Sequence, residues 1–341
     1  MNIKRVAFLS VTALAMVLMI LDTETALHAA NDGVEICLRT IIPSLFPFFF
    51  LSAIINSALI GTNLPILRPL SRICRIPMGT ESLLILGLIG GYPVGASAIH
   101  ASFATGEISR RTAQRMLAFC NNAGPAFIFG IMSVLFENKL ACWVLWAIHI
   151  GSAILVSLFL PADEEDGCIQ KEAKTLTATQ GLQTALKNTA SVCGWVVLFR
   201  IAIGFMQRWF LWLFPPAIQV LICGLFELSN GCISLSTIPA MGLRFIFASV
   251  FLAFGGICVT MQTSSVVGSL AIKSYCLGKI MQTALSLLFS AILQGFLFPE
   301  STIKLPVFLY LPGIIVFLFP VLKNAVAFPK TVRYNRLKSP E

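Results

Sequence analysis

The sequence predicts an all-α, polytopic membrane protein with about 8 spanning helices and two re-entrant or discontinuous hairpins arranged as an inverted repeat. Three observations point there. Of 341 residues, 57% are hydrophobic and 11% are Asp, Glu, Lys or Arg, against roughly 25% charged in an ordinary soluble domain. Mean hydropathy is +0.87, so the chain lacks the polar groups that a water-facing surface needs. Apolar blocks of 16 to 27 residues recur from end to end, which is the length a helix needs to cross a hydrocarbon core about 30 Å thick. The blocks are continuous and not alternating, and lipid offers no partner for open backbone groups, so helices are preferred over strands.

Taken in order, the first span covers about 6–22. Lys4 and Arg5 precede its apolar run, as in a secretory signal, but no small-x-small cleavage site follows, so the run reads as a retained helix. An amphipathic stretch at 26–40 completes an N-terminal section, 1–40. The first repeat, 41–161, holds a span at 41–61, an interrupted segment at 82–104, and spans at 116–136 and 140–161. An acidic, Thr-rich linker follows at 162–186. The second repeat, 187–322, holds a span at 187–206, an interrupted segment at 216–240, and spans at 245–271, 278–298 and 303–322. A basic tail, 323–341, ends the chain. Locally, Leu117-Ala118-Phe119-Cys120-Asn121-Asn122 aligns with Leu252-Ala253-Phe254-Gly255-Gly256-Ile257. Inverted repeats with helices broken at mid-membrane are a secondary-transporter architecture.

The net charge is +9, yet no basic stripe with interleaved aromatics marks a nucleic-acid surface. The cations fall in short loops, where they set topology. With the N-terminus in the cytoplasm and both hairpins entering and leaving by one face, 18 of the 24 Lys and Arg lie inside, Lys273, Lys279 and the tail among them. A segment 82–104 that crossed fully would strand Arg110, Arg111 and Arg115 opposite Arg68, Arg72 and Arg75. The location expected is therefore a bacterial-type cell membrane, multi-pass, with both termini cytoplasmic. Ten cysteines without a Cys-x-x-Cys pair, most of them inside apolar blocks, read as small buried hydrophobes, and three histidines are too dispersed for a metal cluster.

Two segments concentrate what an apolar helix would avoid. Gly90-Gly91-Tyr92-Pro93-Val94-Gly95-Ala96-Ser97 carries three glycines and a proline within six residues. An interior proline costs about 3 kcal/mol and each glycine about 1. Unwound backbone there either binds a polar solute or forms a tight packing kink between helices. Asn121-Asn122-Ala123-Gly124-Pro125 suggests a helix that opens toward the hairpin, or asparagines that bond neighbouring helices. In the second half, Glu227-Leu228-Ser229-Asn230-Gly231 corresponds to the first interrupted stretch, with Gln262 on the partner span. Arg200 is a charge inside a span, which usually faces water or a counter-charge. Either it holds an anionic substrate, or it pairs with Glu227, or it snorkels to the surface. The candidate substrate-binding residues are thus Gly91, Tyr92, Pro93, Gly95, Ser97, Asn121, Asn122, Arg200, Glu227, Asn230 and Gln262. No Gly-x-Ser-x-Gly, phosphate loop or His-Glu-x-x-His is present, so an enzyme, a cofactor and a metal site are not expected. The partners expected are a small-molecule solute and the lipid bilayer, with no nucleic acid. Self-association into a homo-oligomer is left open.

With Pro43-Ser44-Leu45-Phe46-Pro47-Phe48, these motifs, in this order over roughly residues 40–270, resemble the YlbJ-type sporulation integral membrane proteins. That family is grouped with the nucleoside-recognition or Gate domain proteins and is akin to concentrative nucleoside transporters. The resemblance implies a bacterial membrane protein linked to spore formation, in a family associated with moving dipicolinic acid across a membrane. Dipicolinate is a dianion, and Arg200 with helix N-terminal dipoles would suit it. The function expected is a small-solute permease. A non-transporting sporulation scaffold that recruits partners through linker and tail is the alternative from another class, and a nucleoside or metal-ion Gate-type transporter is a third.

Overall fold

The structure, a computed structural model, describes residues 3–59, 64–161 and 176–326. Most of the expected linker, and the end of the tail from residue 327, lie outside the described residues. Every regular element is helical among them. In chain order these are α1 (Ile3–Leu21), α2 (Thr23–Ile36), α3 (Ile42–Leu59), α4 (Arg68–Cys74), α5 (Glu81–Ile89), α6 (Val94–Ala104), α7 (Arg110–Leu117), α8 (Pro125–Ile131) and α9 (Lys139–Phe159). The second half holds α10 (Ala178–Trp209), α11 (Pro216–Phe226), α12 (Leu228–Ser234), α13 (Met241–Phe254), α14 (Gly256–Val266), α15 (Lys273–Leu297) and α16 (Leu311–Val326).

Five described stretches are long and apolar enough to span a membrane: Thr23–Ile55, Lys139–Phe159, Ala178–Trp209, Met241–Val266 and Lys273–Leu297. The remaining expected spans take other forms. The first, α1, and the last, α16, are shorter apolar helices. The expected span at 116–136 is divided into α7 and α8. The expected boundary near residue 40 also disappears. The amphipathic stretch and the following span are one helix, because the chain passes through a wide π-helical turn at Cys37–Ile41 directly before Pro43. A wide turn makes room where a proline ring would otherwise meet the carbonyl four residues back. The next long helix likewise starts earlier than 187: Thr177 and Gln180 form a capping box at the start of α10.

Each half repeats one order of parts: a long helix, an interrupted hairpin, a divided helix and another long helix. In the first half these are α2–α3, α5 with α6, α7 with α8, and α9. In the second they are α10, α11 with α12, α13 with α14, and α15. The two aligned sequence stretches, 117–122 and 252–257, fall at the divisions of the two divided helices. In contact terms, α10 lies along α2 and α3, and α15 lies between α9 and α13. The outer faces are apolar and open, as at Phe8, Val11, Ile20, Ile280 and Phe296. Such continuous exposed apolar surface marks a lipid-facing wall.

The core forms two main apolar clusters stacked along the span direction. Along α9, Ala141, Cys142, Leu145 and Ile148 belong to one. Ala153, Val156 and Phe159 belong to the other. Between them on the same helix sits His149, at the middle of the 21-residue span. At 1.5 Å per residue this is about 15 Å from either end. A polar layer therefore crosses the molecule at mid-membrane depth.

Candidate functional site

The first hairpin turns at Gly90–Pro93, between the end of α5 and the start of α6. Gly91 stands at φ +79°, a conformation that residues with a Cβ rarely adopt. The two arms touch where Gly95 faces Gly87. A Cβ on either glycine would strike the backbone of Cys120. The opened segment that follows α7 therefore lies directly against both arms, and Pro125 restarts the helix as α8. The second hairpin is built alike. Glu227, extended at φ −142° and ψ 123°, separates α11 from α12. Its arms touch through Gly224 and Gly231, with Phe251 beside them.

Glu227 is 2% exposed and caps its own helix. Its Oε1 accepts from the Ser229 amide at 3.0 Å, and its Oε2 from the Asn230 amide at 2.6 Å and from Asn230 Nδ2 at 2.7 Å. Amides at the start of a helix have no acceptor within it, so an acidic side chain there meets both an unmet hydrogen bond and a favourable dipole.

The hairpin tips face a common cavity of about 40 Å³, lined by Gly91, Tyr92 and Gly124 from the first half and by Glu227, Ser229 and Gln262 from the second. At about 10–15 Å³ of such space per water, it holds a few waters. Leu45 and Phe49 of α3 and Val192 of α10 close its side.

Behind Tyr92 lies a fully buried polar network. Lys279 Nζ donates to Gln282 Oε1 at 2.8 Å, to Asn122 Oδ1 at 3.1 Å and to the Tyr92 hydroxyl at 3.2 Å. Gln282 Nε2 donates to Asn122 Oδ1 and to the His149 carbonyl, each at 3.0 Å. The Ala123 amide donates to His149 Nε2 at 3.0 Å. Asn121 Nδ2 donates to Thr263 Oγ1 at 2.9 Å, tying the first opened helix to α14. His149 places this network at mid-membrane depth.

The eleven residues named from the sequence are thus divided. Gly91, Tyr92, Glu227 and Gln262 line the cavity. Asn121 and Asn122 do not reach it, because their side chains brace the opened segment against α5, α6, α14 and α15. Pro93 caps α6, Gly95 is a packing position, and Ser97 is exposed on the far side of α6. Asn230 bonds Glu227 and borders a separate cleft that also contains Arg200. Arg200 does not pair with Glu227. Its Nη2 donates to Asp32 Oδ2 at 2.7 Å and its Nη1 to Gln207 Oε1 at 2.9 Å. The acceptor lies on the amphipathic α2, whose polar face supplies the counter-charge.

Lys279, Gln282 and His149 were absent from the sequence-based set. A lysine near the start of an apolar run reads as a topology signal at the membrane face, but here it is 1% exposed. The available clue was spacing. Gly278, Lys279 and Gln282 share one side of α15, and a Cβ on Gly278 would strike the Ala118 carbonyl, so that side meets the opened helix. Among the described residues, no group of three or more His, Cys, Asp or Glu is placed to hold a metal ion.

Compared with known proteins, the chain is 24% identical to the sporulation integral membrane protein YlbJ of Bacillus subtilis (strain 168), over 86% of this chain and 84% of that protein. No protein-family model matches the chain, and no solved structure matches it. The resemblance to the nucleoside-recognition group therefore rests on the four sequence motifs alone. On its helical, lipid-facing architecture and on this similarity along most of both chains, the chain is a multi-pass integral membrane protein similar to YlbJ.

Proposed function

We propose that the chain is a small-solute permease of a bacterial cell membrane, acting where the two hairpin tips meet, and that it serves sporulation as its relative's name does. The observation that carries this reading is the cavity between the tips, set beside a polar layer at mid-membrane. Open backbone at that depth is tolerated only when buried in protein or facing water. Paired discontinuous helices around a midplane site are the arrangement by which secondary transporters bind and release a solute. The cavity admits only a few waters, so a solute enters when the tips separate. In this reading both termini face the cytoplasm.

An organic dianion such as dipicolinate is the solute class that the family resemblance favours. The positive group that supports it is Lys279, one hydrogen bond behind Tyr92, since Arg200 is held by Asp32. The Glu227 carboxylate opposes an anion less than its charge suggests, because three N–H groups converge on it.

The test is uptake by the purified chain in liposomes, offered labelled dicarboxylates, nucleosides and divalent metal ions separately. Saturable dicarboxylate uptake supports the proposal as stated. Uptake of nucleosides or metal ions alone keeps the permease but replaces the solute. Absence of uptake in every arm, by protein that remains folded, contradicts it and favours the scaffold.

A further inference from the structure

Among the described residues, Lys279 is bonded only to neutral oxygens, and each of them is obliged to accept. Tyr92 uses its one proton on the Leu252 carbonyl at 3.1 Å. Asn122 Nδ2 faces the carbonyls of Gly87 and Phe119 at 2.9 and 2.7 Å. Those two acceptors fix the amide and leave Oδ1 toward the lysine. Gln282 is fixed in the same way by the His149 carbonyl. Each of the three contacts needs an N–H on Nζ, because the facing oxygen has no proton to give toward it, and only the protonated amine has three. Two aromatic rings add to the cage, with Nζ 5.1 Å from the centre of the Tyr92 ring and 5.8 Å from that of Tyr275. Ring faces favour a cation.

A buried charge without a carboxylate is costly unless its ligation is complete. Here it is complete, and it consists of one hydroxyl and two amide oxygens beside an opened helix. An opened helix is the setting in which transporters hold a monovalent coupling ion, there on unwound backbone carbonyls, and neutral oxygens of side chains take that place here. We propose that the Lys279 ammonium is a tethered cation, filling from within the chain an oxygen cage that would otherwise require a sodium-sized ion. The clamp between the first hairpin, the opened helix and α15 is then complete without an added ion. Its consequence for flux, namely independence from sodium, rests on the permease reading. The cage itself does not.

The test is thermal unfolding of the full chain in detergent, in equal concentrations of choline, sodium or methylammonium chloride. The wild type should melt at one temperature in all three. Lys279→Ala should melt several degrees lower in choline and regain at least half of that loss in sodium or methylammonium, which fit the vacated cage where choline does not. Equal destabilisation in all three salts, or no destabilisation, overturns the proposal. So does a wild type stabilised by sodium over choline. If Lys279→Ala does not fold in choline, its folded yield on size-exclusion chromatography after extraction in sodium or methylammonium decides. Yield recovered in either salt supports the proposal, and none in both overturns it. None of these readings requires transport, so failure of the permease proposal and failure of this one are told apart.

Discussion

The Tyr92 hydroxyl donates to the Leu252 carbonyl at 3.1 Å, joining the tip of the first hairpin to the last turn of α13 across 160 residues of sequence. The last carbonyls of a helix have no partner within it, so the tyrosine satisfies a group that the division at Gly255 leaves open. The same oxygen accepts from Lys279, so one atom links the first hairpin and α13 to α15.

Tyr92→Phe removes both bonds while keeping the ring. The expected cost is about 1–3 kcal/mol, the range for leaving a buried polar group unmet. Thermal melts of the two proteins in one detergent should show the loss as a lower midpoint. An unchanged midpoint would mean that the hydroxyl does not brace the halves.

Asn122→Ala breaks four bonds at once, two of them to backbone carbonyls and two from Lys279 and Gln282. Because it leaves buried donors on Lys279 and Gln282 without an acceptor, the expected cost is about 1–3 kcal/mol. Size-exclusion chromatography of the expressed variant should show a much reduced folded fraction. A normal folded yield would contradict the bracing role.

Arg200→Ala should leave uptake near the wild-type rate. Its pair with Asp32 is partly open, at 18% and 32% side-chain exposure, and pairs of that kind contribute about 0–1 kcal/mol. A double-mutant cycle with Asp32→Ala measures the coupling. Loss of uptake in Arg200→Ala with an unchanged melting temperature would return the arginine to the solute path.

The interrupted backbone was legible in the sequence because glycine and proline act locally. Gly90–Pro93 and Gly124–Pro125 disfavour a helix whatever surrounds them, and both positions are broken. Glu227 could be matched to the first hairpin tip by its order in the chain. Partners far apart in sequence were not legible. Arg200 finds Asp32, 168 positions away, on a stretch whose polarity suggested a surface connector. Lys279 looked like a boundary cation because its position in α15 says nothing of the neighbours that α9 and the opened helix bring to it. Pro43 suggested the start of a helix, although the π-helical turn before it lets the helix continue.

Close approach of the hairpin arms gives a contrast between two glycines. Gly95→Ala would place a methyl group against the Cys120 carbonyl and the Gly87 backbone, whereas Gly151→Ala on α9 meets nothing within 4 Å. The first should cost about 1–3 kcal/mol by overpacking. The second should be neutral or stabilising by up to about 1 kcal/mol through helix propensity. Melting temperatures that move together would contradict the tight hairpin.

The central claim is that solute passes the cavity between the hairpin tips, and Gln262→Ala tests it most directly. Gln262 lines the cavity, and among the described residues its amide reaches only Cys258 Sγ, at 3.3 Å, so truncation should leave the melting temperature nearly unchanged. Uptake into proteoliposomes, measured with whichever solute the wild type takes up, should fall at least about tenfold, equivalent to about 1.4 kcal/mol. Wild-type uptake by a normally folded Gln262→Ala variant would contradict the account.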